Sequence, residues 1–273
     1  MEVTSTLFVV IVFIAILTQY LSVSIGVGYG TALTPLLLII GFLPLQIVPA
    51  VLLSQLAGGI VGGVAHYRAG NIHLDFRRDE KLIKERLRGL GYLPRSTDAK
   101  VIFVLVACGV VGVLVGVFTA VNIPQVALET YIGALVLLIG LMVLLRRSRN
   151  SAFSWKGIVA IGVLGAFNKG ISGAGYVPLV TGGQIISGRE AKSSVGSTTV
   201  AIAILCAVGF LAYLIVEGNI YWRLAVAATV GSIIAAPFAA LAARKANPEK
   251  LRLVIGLATI ILGALTLVKT FVL

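Results

Sequence analysis

The sequence predicts an all-α, polytopic membrane protein made of two inverted-topology repeats, and three observations predict it. First, the 273-residue chain is 59% hydrophobic and only 12% charged, with a mean hydropathy of +1.06, which excludes a soluble domain with a polar surface. Second, apolar stretches follow one another along the whole chain. Third, a glycine-rich break, a long apolar stretch and a Gly-Asn-Ile turn occur in the same order in both halves, as in many secondary transporters.

The two copies of this motif define the repeats. Their breaks and turns are GVGYGTALTP at 26–35 with AHYRAGNIHLDF at 65–76, and KGISGAGYVP at 169–178 with YLIVEGNIYWRL at 213–224. We assign residues 1–150 to the first repeat and residues 151–273 to the second. Superposing the prolines of the two breaks aligns Gly30 with Gly173 and Gly26 with Lys169, so we expect a charge in the second break only.

Ten apolar stretches are the predicted membrane segments. They lie at about 5–24, 29–43, 45–67, 100–121, 125–145, 157–168, 175–187, 193–216, 224–243 and 251–270. Several reach the ~20 residues needed to cross a bilayer, whereas 29–43, 157–168 and 175–187 are shorter. Because the short stretches lie beside the glycine breaks, we expect half-helices or re-entrant hairpins there, with unpaired backbone facing protein or a water-filled cavity. The number of membrane segments stays open between about seven and ten.

Lysine and arginine residues predict the orientation. They cluster in the 68–100 loop and around 146–156 and 244–252, and basic loops remain on the cytoplasmic side. This orientation places both termini outside and makes the two halves antiparallel, with a binding site near the midplane where the halves meet. Residues 82–90 are consistent both with a solvated basic loop and with an amphipathic helix on the inner leaflet.

The sequence does not support an enzyme, because catalysis inside a membrane requires clustered acids, histidines or an activated nucleophile. The ten acidic residues lie in loops or near segment ends, and both histidines, His66 and His73, flank one turn. Cys108 and Cys206 lie in apolar stretches without metal-binding spacing. We therefore predict no catalytic residues, no metal and no cofactor. The net charge of +12 resides in the loops, so it indicates topology rather than nucleic-acid binding.

Lys169 is the leading candidate for ligand binding. It stands in the apolar and glycine-rich run GAFNKGISGAG, and a cation at membrane depth is expensive unless it is paired or hydrated. Asn168 and Ser172 offer an amide and a hydroxyl beside it, while Gly173 and Gly175 can expose backbone N–H groups at the start of the next helix. These groups favour a small anion. The alternatives are that Lys169 reaches the outer interface and that the glycines form a helix-packing face.

Further polar residues are candidates for substrate contacts. They are Thr31, Thr34, Ser54 and Gln55 in the first half, and Ser194, Ser197 and Thr198 in the second. The three residues of the second half share one helix face by their three- and four-residue spacing, although each hydroxyl could instead bond back to its own helix. His66 and Arg68 form a candidate cytoplasmic gate, with an anchor at the inner interface as the alternative.

The ordered pair of motifs resembles the sulfite exporter TauE/SafE family. The resemblance rests on the glycine-rich stretch leading to Pro35, on the run from Ala65 to Arg68 into the Gly-Asn-Ile turn, and on the second break leading to Pro178. It covers nearly the whole chain. It implies a secondary transporter that exports sulfur-containing anions, such as sulfite or organosulfonates, across the cytoplasmic membrane.

The predicted mechanism is alternating access, and two rival functions stay open. One is an anion channel of the same architecture, and the other is a membrane enzyme acting on a lipid or quinone headgroup. The predicted partners are a small anionic substrate and the lipid bilayer, with no nucleic acid. A homodimer is compatible with the sequence.

Overall fold

Ten α-helices coincide with the ten apolar stretches in the part of the chain that the computed structural model describes, which is residues 3–78, 92–94, 96–145, 153–243 and 248–272. The helices are α1 Ser5–Ile25, α2 Tyr29–Ile40, α3 Pro44–Arg68, α4 Thr97–Asn122, α5 Gln125–Leu145, α6 Trp155–Ser172, α7 Tyr176–Ile186, α8 Ala191–Glu217, α9 Trp222–Ala242 and α10 Pro248–Val272. Between α3 and α4, the strands β1 Phe76–Arg78 and β2 Tyr92–Pro94 form an antiparallel pair. Residues 82–90, where an amphipathic helix was one prediction, lie outside the described residues.

The protein is a multi-pass membrane protein. Within the described residues, α1, α3, α4, α5, α8 and α9 are each long and apolar enough to span a bilayer. Helices α2 and α7 have only 12 and 11 residues, or about 18 and 16 Å at 1.5 Å per residue, which is well below the ~30 Å hydrocarbon thickness. The sequence therefore predicted the all-α polytopic class and the short helices α2 and α7 correctly, whereas the stretch at 157–168, also predicted to be short, is an 18-residue helix.

The short helices fold back on the helices that precede them. In the α6–α7 pair, Gly165 packs against Tyr176 and Val180, whereas Gly183 packs against Ile161. Contacts that run in opposite directions along the two helices define an antiparallel hairpin. The stretch predicted at 157–168 is longer in the structure. Helix α6 spans Trp155–Ser172 and ends directly before the glycine break at Gly173.

Helices α1 and α2 also form a hairpin, in which the end of α2 lies near the beginning of α1. The Val3 backbone N–H donates to the Tyr221 hydroxyl over 3.1 Å, and the Phe42 ring that follows α2 lies 6.0 Å from the Tyr221 ring. The beginning of α1 and the end of α2 therefore lie at one face of the bundle. We call this the Tyr221 face.

The α6–α7 hairpin enters from the opposite face, where Arg189 pairs with Asp98. This contact brings the starts of α4 and α8 together, and we call this side the Arg189 face. Helix α6 runs parallel to α4, because Gly112 packs on Val163 while Gly116, one turn further along, packs on the Phe167 carbonyl. Glycine is required at such crossings, since a Cβ would collide with the backbone of the other helix.

The helices of the two halves pack in matching pairs. Helix α1 packs on α9, and the corresponding helix of the second half, α6, packs on α4. In the same way, α3 packs on α9 and its counterpart α8 packs on α4. The remaining extensive contacts join α3 to α8 and α5 to α10. Exchanging α1–α5 with α6–α10 leaves this set of contacts unchanged.

Candidate functional site

The two glycine breaks have the same backbone design. Gly26 and Gly173 end α1 and α6 in the left-handed region, with φ of 82° and 68°. Gly28 and Gly175 precede α2 and α7, with φ of 97° and 85°. Glycine adopts these angles without the steric penalty that other residues meet.

This equivalence corrects the superposition based on the prolines. In the structure Gly26 corresponds to Gly173, so residue n of the first hairpin matches residue n + 147 of the second. The prolines misled the alignment because they have different roles: Pro178 lies in the first turn of α7, whereas Pro35 lies in the interior of α2. Proline is tolerated in a first turn but removes a hydrogen bond further inside.

The breaks of the two hairpins meet inside the protein. A Cβ on Gly26 would lie 2.9 Å from Thr181 Cγ2, and a Cβ on Gly173 would lie 3.2 Å from Thr34 Oγ1. Thr34 and Thr181 are themselves equivalent under the n + 147 relation, so the two contacts are reciprocal. At the centre of the crossing, Gly30 packs directly against the carbonyl oxygen of Gly173.

Lys169 lies in the last turn of α6, beside this crossing. Its side chain is 1% exposed, and its Nζ donates to Gln55 Oε1 over 2.5 Å and to the Gly173 carbonyl over 2.6 Å. Both acceptors are neutral, and the ion pairs of the described residues do not include Lys169. The ammonium charge is therefore hydrogen-bonded but not neutralised.

Two threonines of the α1–α2 hairpin lie at the same crossing, because Thr34 contacts Gly173 and Thr31 bonds to Gly175. Thr34 is fully buried, and its Oγ1 has no hydrogen-bond partner among the described residues. Thr31 Oγ1 accepts from the Gly175 N–H over 3.3 Å, and a Cβ on Gly30 would lie 3.2 Å from Lys169 Nζ. We call Lys169, Gln55, Thr31, Thr34 and Gly173 the Lys169 cluster. The structure brings these five predicted residues together from the two halves.

Three other predicted residues bond to groups outside the Lys169 cluster. The Asn168 side chain accepts a 2.5 Å hydrogen bond from the Tyr131 hydroxyl, a partner that the sequence analysis missed. Ser172 Oγ donates to the Asn168 carbonyl over 2.6 Å and accepts from the Ala174 N–H over 3.1 Å. Ser54 Oγ donates to the Val51 carbonyl within α3. The Ser54 and Ser172 hydroxyls are thus bonded to the backbone of their own helices.

A second polar cluster lies at the Arg189 face. The Arg189 guanidinium donates to the Asp98 carboxylate, to the Gln184 side-chain oxygen and, over 3.2 Å, to Ser197 Oγ. Gln184 Nε2 donates to Thr198 Oγ1 over 2.8 Å. We call these five residues the Arg189 cluster. Burial lowers the pKa of Arg189, and the Asp98 carboxylate opposes that shift.

The predicted serine and threonine face thus belongs to this second cluster. Ser197 and Thr198 bond to Gln184, and Ser194 Oγ donates to the Glu190 carbonyl at the start of α8. Sequence reasoning missed Arg189, Asp98 and Gln184. The only signal was an arginine near a segment end, because its partner lies 91 residues away.

The candidate gate residues differ in their surroundings. His66 is fully buried; its Nε2 donates to the Val23 carbonyl over 3.1 Å, and its Nδ1 accepts from Asn71 Nδ2 over 2.9 Å. Arg68, two residues later, is exposed. Within the described residues, no group of three or more His, Cys, Asp or Glu side chains could hold a metal ion.

Comparison with known proteins identifies a family and one relative. The family model for "Sulfite exporter TauE/SafE" matches residues 88–266. The chain is 26% identical over 277 residues to "Probable membrane transporter protein YtnM" of Bacillus subtilis (strain 168), and the match covers 97% of this chain and 84% of the relative. No solved structure matches the chain.

Proposed function

Since the chain belongs to the sulfite exporter TauE/SafE family of membrane transporters, we propose that it is a secondary transporter that exports small sulfur oxyanions across the cytoplasmic membrane. The observation that carries the proposal is the buried Lys169 ammonium, which has two neutral acceptors and no carboxylate partner in the described structure. A bound anion would supply the missing charge.

The chemistry of the Lys169 cluster suits a sulfite or sulfonate group. A sulfonate is fully ionised at neutral pH and sulfite carries at most one proton, so most of their oxygens are acceptors and the site must provide donors. Lys169 offers three N–H donors, of which two are used by Gln55 and Gly173. Thr34 adds a buried hydroxyl without a partner. The two donors come from opposite halves, so the anion would bind where the hairpins meet.

Two inverted repeats and alternating access are the inferred mechanism. The reciprocal contacts of the breaks and the matching helix pairs support a twofold relation, and hairpins that enter from opposite faces support inversion. The Lys169 cluster is closed to solvent, since Lys169 is 1% exposed and the nearby Tyr29, Tyr176 and Tyr213 are 0–1% exposed. A closed site favours a carrier over a channel. Saturable exchange in vesicles supports the carrier, whereas ohmic conductance would support the channel.

The proposed orientation follows the basic residues. Arg68, Lys100, Lys156 and Lys192 lie at helix ends on the Arg189 face. The helix ends that border the three basic sequence clusters also lie on that face. Basic segments stay on the cytoplasmic side, so we assign the Arg189 face to the cytoplasm and both termini to the outside.

Replacing Lys169 with alanine tests the proposed site. Sulfite, sulfate, thiosulfate, sulfoacetate and taurine are titrated into the purified protein by calorimetry, and K169A should abolish binding of whichever anions bind the unsubstituted protein. Lys269→Ala is the matched control, because Lys269 donates to the Leu38 carbonyl near the Tyr221 face and should be dispensable. Unchanged affinity in K169A would rule the site out.

A further inference from the structure

His66 and Tyr213 make the same contact in the two halves. His66, near the end of α3, donates from Nε2 to the carbonyl of Val23 in the last turn of α1. Tyr213, near the end of α8, donates its hydroxyl over 2.9 Å to the carbonyl of Gly170 in the last turn of α6. Both donors are fully buried. Donors and acceptors alike obey the n + 147 relation, although a histidine and a tyrosine share no sequence similarity.

The acceptors are carbonyls that the glycine breaks leave without a helical partner. Each helix is capped three residues later, at Gly26 or Gly173, so the next turn supplies no N–H group for these oxygens. The cap N–H of each glycine bonds to the carbonyl one position earlier, on Ser22 or Lys169. A side chain from a long helix therefore satisfies the carbonyl and ties it to the hairpin tip.

The two contacts lie toward opposite faces. Helices α3 and α8 are antiparallel, because Gly59 packs on Ala203 while Gly62 packs on Thr199. Helix α3 ends at the Arg189 face, where His66 packs against Gly196 in the first turns of α8. Tyr213 is close to the other end of α8, at the Tyr221 face.

We propose that His66 and Tyr213 are equivalent latches, each closing access to the Lys169 cluster from its own face. The proposal rests on the proposed carrier function and names the residues that control its two closed ends. Releasing the His66 latch frees the tip of the α1–α2 hairpin and opens the Arg189 face. Releasing the Tyr213 latch frees the tip of the α6–α7 hairpin and opens the Tyr221 face.

The repeated Gly-Asn-Ile turn has a role in only one latch. Asn71 of the first turn is 1% exposed; its Nδ2 donates to His66 Nδ1 and to the Ala240 carbonyl, which fixes the histidine tautomer with the proton on Nε2. Asn219 of the second turn is exposed, and a tyrosine hydroxyl requires no such support. The first latch is therefore held by three helices.

The two native cysteines allow a test that needs no substrate. Cys206 on α8 is fully buried and lies seven residues, or two helical turns, before Tyr213, so the two side chains share one face of the helix. In a Cys108→Ala background it is the only thiol, because the chain has two cysteines. Its modification by the membrane-impermeant cation trimethylammonium-ethyl methanethiosulfonate is measured in right-side-out and inside-out vesicles.

Each latch variant should expose Cys206 from one face only. Tyr213→Phe removes a single hydroxyl and should raise the labelling rate from the Tyr221 face by between about twofold and tenfold, the range expected for one hydrogen bond. His66→Leu should do the same from the Arg189 face. His66→Gln keeps an N–H donor near the Nε2 position and should label more slowly than His66→Leu. If His66→Leu does not fold, His66→Asn replaces it, because the shorter amide cannot reach the Val23 carbonyl and should also accelerate labelling from the Arg189 face.

A hydroxyl that is bonded within its own helix is the control. Thr229 Oγ1 donates to the Ala225 carbonyl of α9, so Thr229→Val should leave labelling unchanged. Equal acceleration from both faces, or none in variants that remain monodisperse, would overturn the latch assignment. This readout is independent of anion binding, so it separates failure of the latches from failure of the Lys169 site.

Discussion

Gly26 and Gly173 are equivalent residues of two hairpins, and each packs against a threonine of the other hairpin. Both have positive φ, and the nearest side chains are those of Thr181 and Thr34, respectively. The backbone bend and the close approach thus occur at the same positions. Because two helix ends and two side chains meet there, no other residue type fits without displacing the opposite hairpin.

Replacing Gly26 with alanine should cost more stability than the same change at Gly218. Gly218 also has a positive φ, of 65°, but a Cβ there would meet nothing within 4 Å, so it reports backbone strain alone, about 1–2 kcal/mol. At Gly26 the Cβ must also displace Thr181 and Val195, which adds about 1–3 kcal/mol. The measurement is the thermal unfolding midpoint in detergent. Equal midpoints for the two variants would contradict the close crossing.

Replacing Gln55 with glutamate should weaken anion binding. A carboxylate at this position accepts from Lys169 and neutralises the charge that the anion is proposed to meet, so we expect an affinity loss of about tenfold or more, near 1.4 kcal/mol. Gln46→Glu is the control, because Gln46 accepts from the Leu43 N–H at the start of the same helix and a glutamate can do the same. Calorimetric titration with sulfite distinguishes the two. Similar affinities in both variants would separate Gln55 from the anion site.

Replacing Asp98 with asparagine should destabilise the protein. The Arg189 and Asp98 side chains are only 8% and 9% exposed, so removing one charge leaves the other buried and costs about 3–5 kcal/mol. The double variant D98N/R189Q should lose less stability than D98N and R189Q lose in total as single variants, because it leaves neither charge buried without its partner. Thermal midpoints of the three variants provide the measurement. Strictly additive losses would show that the two side chains do not interact.

The sequence was enough to find Lys169 and the glycine breaks, because both interrupt long apolar stretches. The short helices followed from the position of the breaks. A lysine with no acid near it, and glycines that interrupt a hydrophobic run, remain visible whatever the tertiary structure. Gln55 was also identifiable, since a buried amide requires a partner from another segment. These signals identified Lys169, Gln55 and Gly173 as candidates, and their function as an anion site is a proposal.

The Arg189 cluster could not be predicted, because polar and charged residues are common near the ends of membrane segments. Only the folded structure brings these particular residues together. Asp98 and Arg189 are 91 residues apart, and helix spacing gives the face that Ser194 shares with Ser197 and Thr198 but not the distance of that face from Lys169. The latches were equally hidden. Their equivalence depends on the position of donors relative to a helix break, whereas sequence comparison aligned identical residues such as the prolines.

Replacing Thr34 with valine should stabilise the empty protein and weaken anion binding. The Thr34 hydroxyl is buried without a partner in the described structure, and a buried polar group in that state costs about 1–3 kcal/mol. Valine keeps the shape and removes that cost, but it also removes a donor that the bound anion is proposed to use. The unfolding midpoint should therefore rise while the calorimetric affinity for sulfite falls.

Thr199→Val is the matched control for Thr34→Val, because the Thr199 hydroxyl already bonds to the Val195 carbonyl over 2.8 Å. It should neither raise the midpoint nor alter the affinity. A Thr34→Val protein that gains stability and binds sulfite as tightly as before would exclude the hydroxyl from the site. Opposite changes in stability and affinity, in contrast, are typical of a polar group retained for a ligand rather than for the fold.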